Sequence, residues 1–182
     1  MKVLVIGGSG FIGSPTVHAL QHLGQTVTVF HRGKSPSALS GVEHILGDRK
    51  QFHQHRETFR RLAPEVVIDM ILSSGTQAET LMQVFRGVAR RVVAISSMDV
   101  YRAFGIFHGT EPGPLQPVPL TEESEVRRNL HPYPQFSAGW TTLTTRFQSN
   151  VQCLQMVSCQ EPFCGCLWCT VPAILCTDSS RF

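Results

Sequence analysis

Seven consecutive residues near the start of the chain, Gly7-Gly8-Ser9-Gly10-Phe11-Ile12-Gly13, satisfy two overlapping patterns, GxGxxG and GxxGxxG. Glycine permits positive φ in a tight turn. A backbone without Cβ lets a diphosphate come close, and a last glycine lets a following helix pack against the preceding strand. Free N–H groups and the dipole at a helix N-terminus then favour the anion. Two further positions bear on what lies beside that anion. Phe30 is followed by His31-Arg32-Gly33, with no carboxylate. Asp48 stands after a short apolar run.

The elements around the glycines make the pattern specific. Lys2 to Ile6 is β-branched and apolar on both faces, as in a buried parallel strand. After the glycines, Ile12, Thr16, Ala19, Leu20 and Leu23 recur at helical spacing and Gly24 ends the helix. Strand, glycine turn and helix in this order are the context of a dinucleotide-binding motif. A site for NAD usually places Asp or Glu at the end of the second strand, on the ribose 2′-OH. Arg32 there can instead pair with a 2′-phosphate, which favours NADP and leaves NAD open; alternatively it is an exposed loop cation. Asp48 can meet the adenine edge or cap the helix that follows it.

The remaining elements continue the rhythm. Thr26 to Phe30 is a second strand, Gly33 to Gly41 a polar loop, and His44 to Leu46 a short third strand. Phe52 to Leu62 is read as a helix with several His and Arg on its wet face. Glu65 to Ile71 is a fourth buried strand; Gln77 to Ala89 is a helix whose Leu81, Val84, Phe85 and Val88 share a face; Arg91 to Ile95 is a fifth strand. Strands and helices alternating at these lengths predict an α/β fold with a doubly wound parallel sheet and right-handed crossovers. From Gly105 to Pro134 the sequence turns rich in Pro, Gly and acidic residues, too long for an idle loop. Beyond Pro134 no strand–helix rhythm continues.

Composition excludes little and supports a globular protein: 42% hydrophobic, 16% charged, net charge +3. That charge is too small to indicate a nucleic-acid or membrane partner. The pairs Arg60-Arg61, Arg90-Arg91 and Arg127-Arg128 have no interleaved aromatics and read as solvated element ends. No apolar run approaches the ~20 residues that span a bilayer. The N-terminus passes directly into a strand, so a cytoplasmic protein is expected.

With these motifs in view, the chain resembles the short-chain dehydrogenase/reductase superfamily, in its extended or atypical NAD-dependent epimerase/dehydratase branch. The likeness rests on Gly7 to Gly13, the Gly47-Asp48 step, the strand end Ile95-Ser96-Ser97-Met98-Asp99-Val100-Tyr101 and the Pro-rich loop after it, and covers roughly residues 1–134. It implies an NAD(P)-binding Rossmann fold and a dinucleotide cofactor held by Gly7, Gly8, Ser9, Gly10, Phe11, Ile12, Gly13, Arg32 and Asp48. It implies hydride transfer on a sugar-type or similar carbinol or carbonyl substrate, and leaves a homodimer open. By position, Ser97 is the residue that helps hold the substrate oxygen, and Asp99 lies where some dehydratases keep an acid. The family's main acid–base pair is a Tyr with a Lys four residues later, the Lys lowering the phenol pKa. This chain departs from it. Gly105 follows Tyr101 by four residues, Ser137 follows Tyr133 by four, and no lysine follows Lys50. A cofactor-binding pseudoenzyme is therefore the alternative to an active oxidoreductase.

Residues 135–182 differ in kind. All six cysteines lie there, from Cys153 to Cys176, and all three lysines lie in the first 50 residues. Cys164-Gly165-Cys166-Leu167-Trp168-Cys169 lacks the second pair and the histidines of a zinc site, so no metal is expected. The reading is a Rossmann domain over 1–134 and an irregular, poorly ordered Cys-rich tail over 135–182. A frameshift or aberrant splice near Pro134 would account for the break.

Overall fold

A computed structural model describes residues 1–33, 39–73 and 75–129, together with the strand 174–178. The central sheet contains β1 (Lys2–Ile6), β2 (Thr26–His31), β3 (Glu43–Leu46), β4 (Val66–Asp69), β5 (Arg91–Ile95) and β6 (Ile174–Asp178). Their order is β3-β2-β1-β4-β5-β6. The first five strands are parallel, as the alternating pattern predicts. β6 runs antiparallel along β5, pairing Ile174 with Ile95. The stretch read as irregular thus supplies a sixth strand, which stands in no strand–helix alternation that would have announced it. The cysteine run at 164–169 lies outside the described residues.

The chain leaves β1 toward β2 and β3 on one side and returns to β4 and β5 on the other. The order therefore reverses beside β1, and in open α/β sheets ligands bind outside the carboxyl ends of the strands at that switch point. Two apolar layers cover the sheet. On one face Val3, Val5, Val27 and Val29 pack with Val17 of helix α1 (Gly13–His22). On the other, Leu4, Ile6, Phe30 and Val67 pack with Phe52, with Phe59 of α2 (Arg56–Leu62), and with Leu81 and Phe85 of α3 (Gly75–Phe85). Phe30, Phe52 and Phe59 meet at centroid distances of 5.0–5.5 Å in edge or tilted geometry, which suits their quadrupoles.

Several expectations need correction. The buried face of α1 is Gly13 and Val17, with Leu20 half-buried, whereas Ile12 and Leu23 are exposed. The helix must offer its smallest residues to the glycine turn, so its apolar stripe rotates away from the one spacing suggested. Its end is as read: Gly24 takes φ +71°, and the Gln25 and Gly24 N–H groups donate to the Leu20 and Gln21 carbonyls. The helix read over 52–62 is two pieces, a 3-10 segment Arg49–His55 and α2, which meet at His55, the N-cap of α2 with φ -88° and ψ 2°. The Pro-rich loop begins later than Gly105, after α4 (Arg102–Phe107). Gly105 is tolerated there because a Cβ would lie 3.1 Å from the Glu111 side chain.

Candidate functional site

The turn between β1 and α1 is shaped by what each glycine excludes. Gly7 has φ +80°, and a Cβ on it would lie 2.6 Å from Ile71 Cγ2. A Cβ on Gly13 would lie 2.5 Å from the Gly7 carbonyl oxygen and 2.7 Å from Gly8 Cα. Gly8 is similarly enclosed by Val5, Val17 and Val29. Gly10 differs: the nearest atom to its Cβ position is the Gly7 oxygen at 3.8 Å, so its outer side is open. Three glycines therefore close the turn on itself, and one opens it outward. Among the described residues no side chain caps α1, and its first turn holds no acid. Phe11 is 98% exposed and Ser9 half-buried beside it. An uncapped, acid-free helix start with an open glycine face is a seat for an anion.

The ends of the other strands form the rim. β2 ends at His31, and Arg32 follows it, exposed. The Gly33 N–H donates to His31 Nδ1 at 3.2 Å, so the neutral His31 carries its proton on Nε2, which lies 2.9 Å from His44 Nδ1. Partial burial, and then His44, hold the His31 pKa below its ordinary value. After β3, Asp48 accepts from the Lys50 N–H at 2.8 Å and caps the 3-10 segment. The cap is thus present in the structure, alongside whatever Asp48 offers a ligand. β4 ends at Asp69, which is fully buried and lies 2.6 Å from Arg49. Burial raises the Asp69 pKa, with Arg49 pulling the other way.

At the end of β5, Ser97 is half-buried and accepts from the Asp99 N–H at 3.3 Å. Asp99 does not stand free. Its Oδ1 lies 2.5 Å from Arg127 Nη2, and its carbonyl accepts from Arg127 Nε at 2.6 Å. Arg127 also donates to Thr110 Oγ1 at 2.9 Å, and its side chain has no exposure. The reading of Arg127 as a solvated cation is therefore wrong: it clamps the turn that carries Ser97 and Asp99. A second clamp joins Arg102 to Glu125 at 2.7 Å and to Glu111 at 3.5 Å, while Glu111 accepts from the Arg128 and Asn129 N–H groups. Tyr101 has its pKa raised by burial, then by Glu122 and Glu123, the opposite of what a phenolate base needs.

Sequence reasoning missed three of these groups. Asp69 carried a signal, a carboxylate closing an otherwise apolar strand. Arg127 and Glu111 carried none: Asp99 lies 28 residues from Arg127, and Arg102 and Arg128 lie 9 and 17 residues from Glu111.

Comparison with known proteins agrees with this arrangement. The family model for the NAD dependent epimerase/dehydratase family matches residues 3–146. A 2′-dehydrokanamycin reductase of Streptomyces kanamyceticus is 32% identical over 123 residues, covering 67% of this chain and 32% of that protein. A UDP-glucose 4-epimerase of Haemophilus influenzae is 28% identical over 149 residues, covering 73% of this chain and 44% of that protein. Among solved structures, UDP-glucose 4-epimerase from Brucella ovis in complex with NAD superposes with a TM-score of 0.64 at 21% identity, over 87% of this chain and 48% of that one. The chain thus spans about a third to a half of the length of these relatives.

Proposed function

The chain belongs to the NAD dependent epimerase/dehydratase family, and from that premise we propose that it binds a nicotinamide dinucleotide across the carboxyl ends of β1, β2 and β4. The observation that carries this is the glycine turn: Gly7 and Gly13 have no room for a Cβ, Gly10 has room only on its outer side, and the helix behind them is uncapped. Backbone N–H groups of Gly10 to Gly13 would hold the diphosphate. Arg32 would face the adenosine ribose, where its charge favours a 2′-phosphate and hence NADP. Asp48 would accept from the adenine edge.

The bound nicotinamide would supply hydride transfer to or from a carbinol or carbonyl carbon. This chain's own share would be to orient the substrate oxygen with the Ser97 hydroxyl, on a turn that Arg127 holds rigid. The substrate class suggested by the relatives is a nucleotide-activated or other sugar. Asp99 serves in this reading as the anchor of that turn, since its carboxylate faces the Arg127 guanidinium.

A second reading is favoured by one observation, the absence of any lysine after Lys50. With no Lys four residues after a Tyr, the chain would hold cofactor without turning it over. Titration with NADPH, followed by cofactor fluorescence, tests binding; addition of nucleotide sugars tests turnover. Binding with turnover supports the oxidoreductase, and binding alone supports the module. Failure to bind either NADPH or NADH overturns both.

A further inference from the structure

We propose that the buried pair Arg49–Asp69 is a positioning device, setting the Asp48 turn against the glycine turn and so governing recognition of the adenine end of the dinucleotide. The proposal rests on the dinucleotide reading above. β3 and β4 are not neighbours; β2 and β1 lie between them, so their ends are separated by roughly 14 Å of sheet. Arg49, three residues beyond β3, nevertheless reaches the last residue of β4 and lies 2.6 Å from its carboxylate. On the way its guanidinium lies over the Phe52 ring, 5.6 Å from the centroid.

Asp69 passes the constraint onward. Its Oδ1 accepts from the Ile71 N–H at 3.0 Å. Ile71 in turn fills the space beside Gly7, its Cγ2 2.6 Å from where a Cβ would stand. Asp48, Arg49, Asp69, Ile71 and Gly7 are thus linked in series, joining the candidate adenine contact to the candidate diphosphate contact beneath the surface. The pair does little for stability. Arg49 Nε is buried with no hydrogen-bond partner among the described residues. Desolvation offsets the attraction in a buried pair satisfied this incompletely. Its effect is on geometry.

The double variant Arg49→Met with Asp69→Asn removes both charges and keeps a side-chain oxygen for the Ile71 N–H. Wild type and variant are titrated with NADPH and with its hypoxanthine analogue, in which oxygen replaces the adenine 6-amino group, and each is melted by circular dichroism. Wild type is expected to prefer adenine about tenfold, the worth of one hydrogen bond to a charged acceptor. The double variant is expected to melt cooperatively and to lose that preference. Arg49→Lys, which keeps the charge but not the fork, is expected to lose part of it, and decides the matter if the double variant does not fold. A folded variant with the wild-type preference overturns the proposal, as does a wild type that binds NADPH without preferring adenine. A wild type that binds neither dinucleotide overturns the dinucleotide reading itself, and this proposal with it.

Discussion

Two single-methyl substitutions in the glycine turn should separate folding from binding. In Gly13→Ala the new Cβ meets only backbone, the Gly7 oxygen at 2.5 Å and two Gly8 atoms at 2.7 and 2.8 Å. None of these can rotate aside, so α1 must move away from β1 by about 1 Å to restore ordinary contact distances. Overpacking of this kind costs about 1–3 kcal/mol, which lowers the melting temperature by roughly 2–12 °C in a domain of this size. In Gly10→Ala the nearest atom is 3.8 Å away, so the folded protein accommodates the methyl without strain. The methyl then stands on the open side, where a diphosphate would approach. Loss of one or two charge-assisted bonds, at about 1.5–3 kcal/mol each, weakens NADPH binding by tenfold or more. Melting followed by circular dichroism measures the first effect and NADPH fluorescence the second. A Gly10→Ala protein that binds NADPH as tightly as wild type refutes the placement of the anion.

Other outcomes follow from the rim. Arg32→Ala should lower affinity for NADPH by about tenfold and leave NADH unchanged, since only the former offers a 2′-phosphate; an unaltered NADPH-to-NADH ratio sinks the NADP reading. Arg127→Met leaves the Asp99 carboxylate without its guanidinium at a site with no solvent access on the arginine side. It should cost about 3–5 kcal/mol in thermal or urea unfolding, with less than about 1 kcal/mol contradicting the clamp. His31 is held below its ordinary 6.5 by burial and His44. Its neutral form is the one the fold accepts, so its contribution is complete above 6.5 and fades as pH falls from there through the folded value. The melting-temperature difference between wild type and His31→Gln should shrink on acidification, and a constant difference across that window counts against the His31–His44 contact.

The parallel sheet was legible because β1, β2, β4 and β5 are short apolar runs that punctuation isolates, and because the glycines stand where a strand meets a helix. The rotation of α1 was not legible. Helical spacing ranked Ile12 and Leu23 with the core, yet close packing of Gly13 against Gly8 fixes the helix the other way. Of the candidate site, the turn, Arg32, Asp48 and Ser97 could be named from residue type and neighbours. Of the groups that hold them, Asp69 was marked as a carboxylate closing an apolar strand, whereas Arg127 and Glu111 were not, because contacts closed across a loop leave no local trace. Arg127 and Arg128 are adjacent and identical in type, yet one is buried and the other exposed; only the fold distinguishes them.

The antiparallel β6 has a consequence for biosynthesis. Its pairing partner at Ile95 is 79 positions upstream. A ribosome adding 5–20 residues per second needs roughly 4–16 s to cover that interval. Throughout it, the outer N–H and C=O groups of Arg91–Ile95 lack this partner, on a strand whose neighbours have already formed. Such an edge templates association with other nascent chains. Yield on expression should therefore depend on chaperone supply and temperature more than the stability of the finished sheet would suggest.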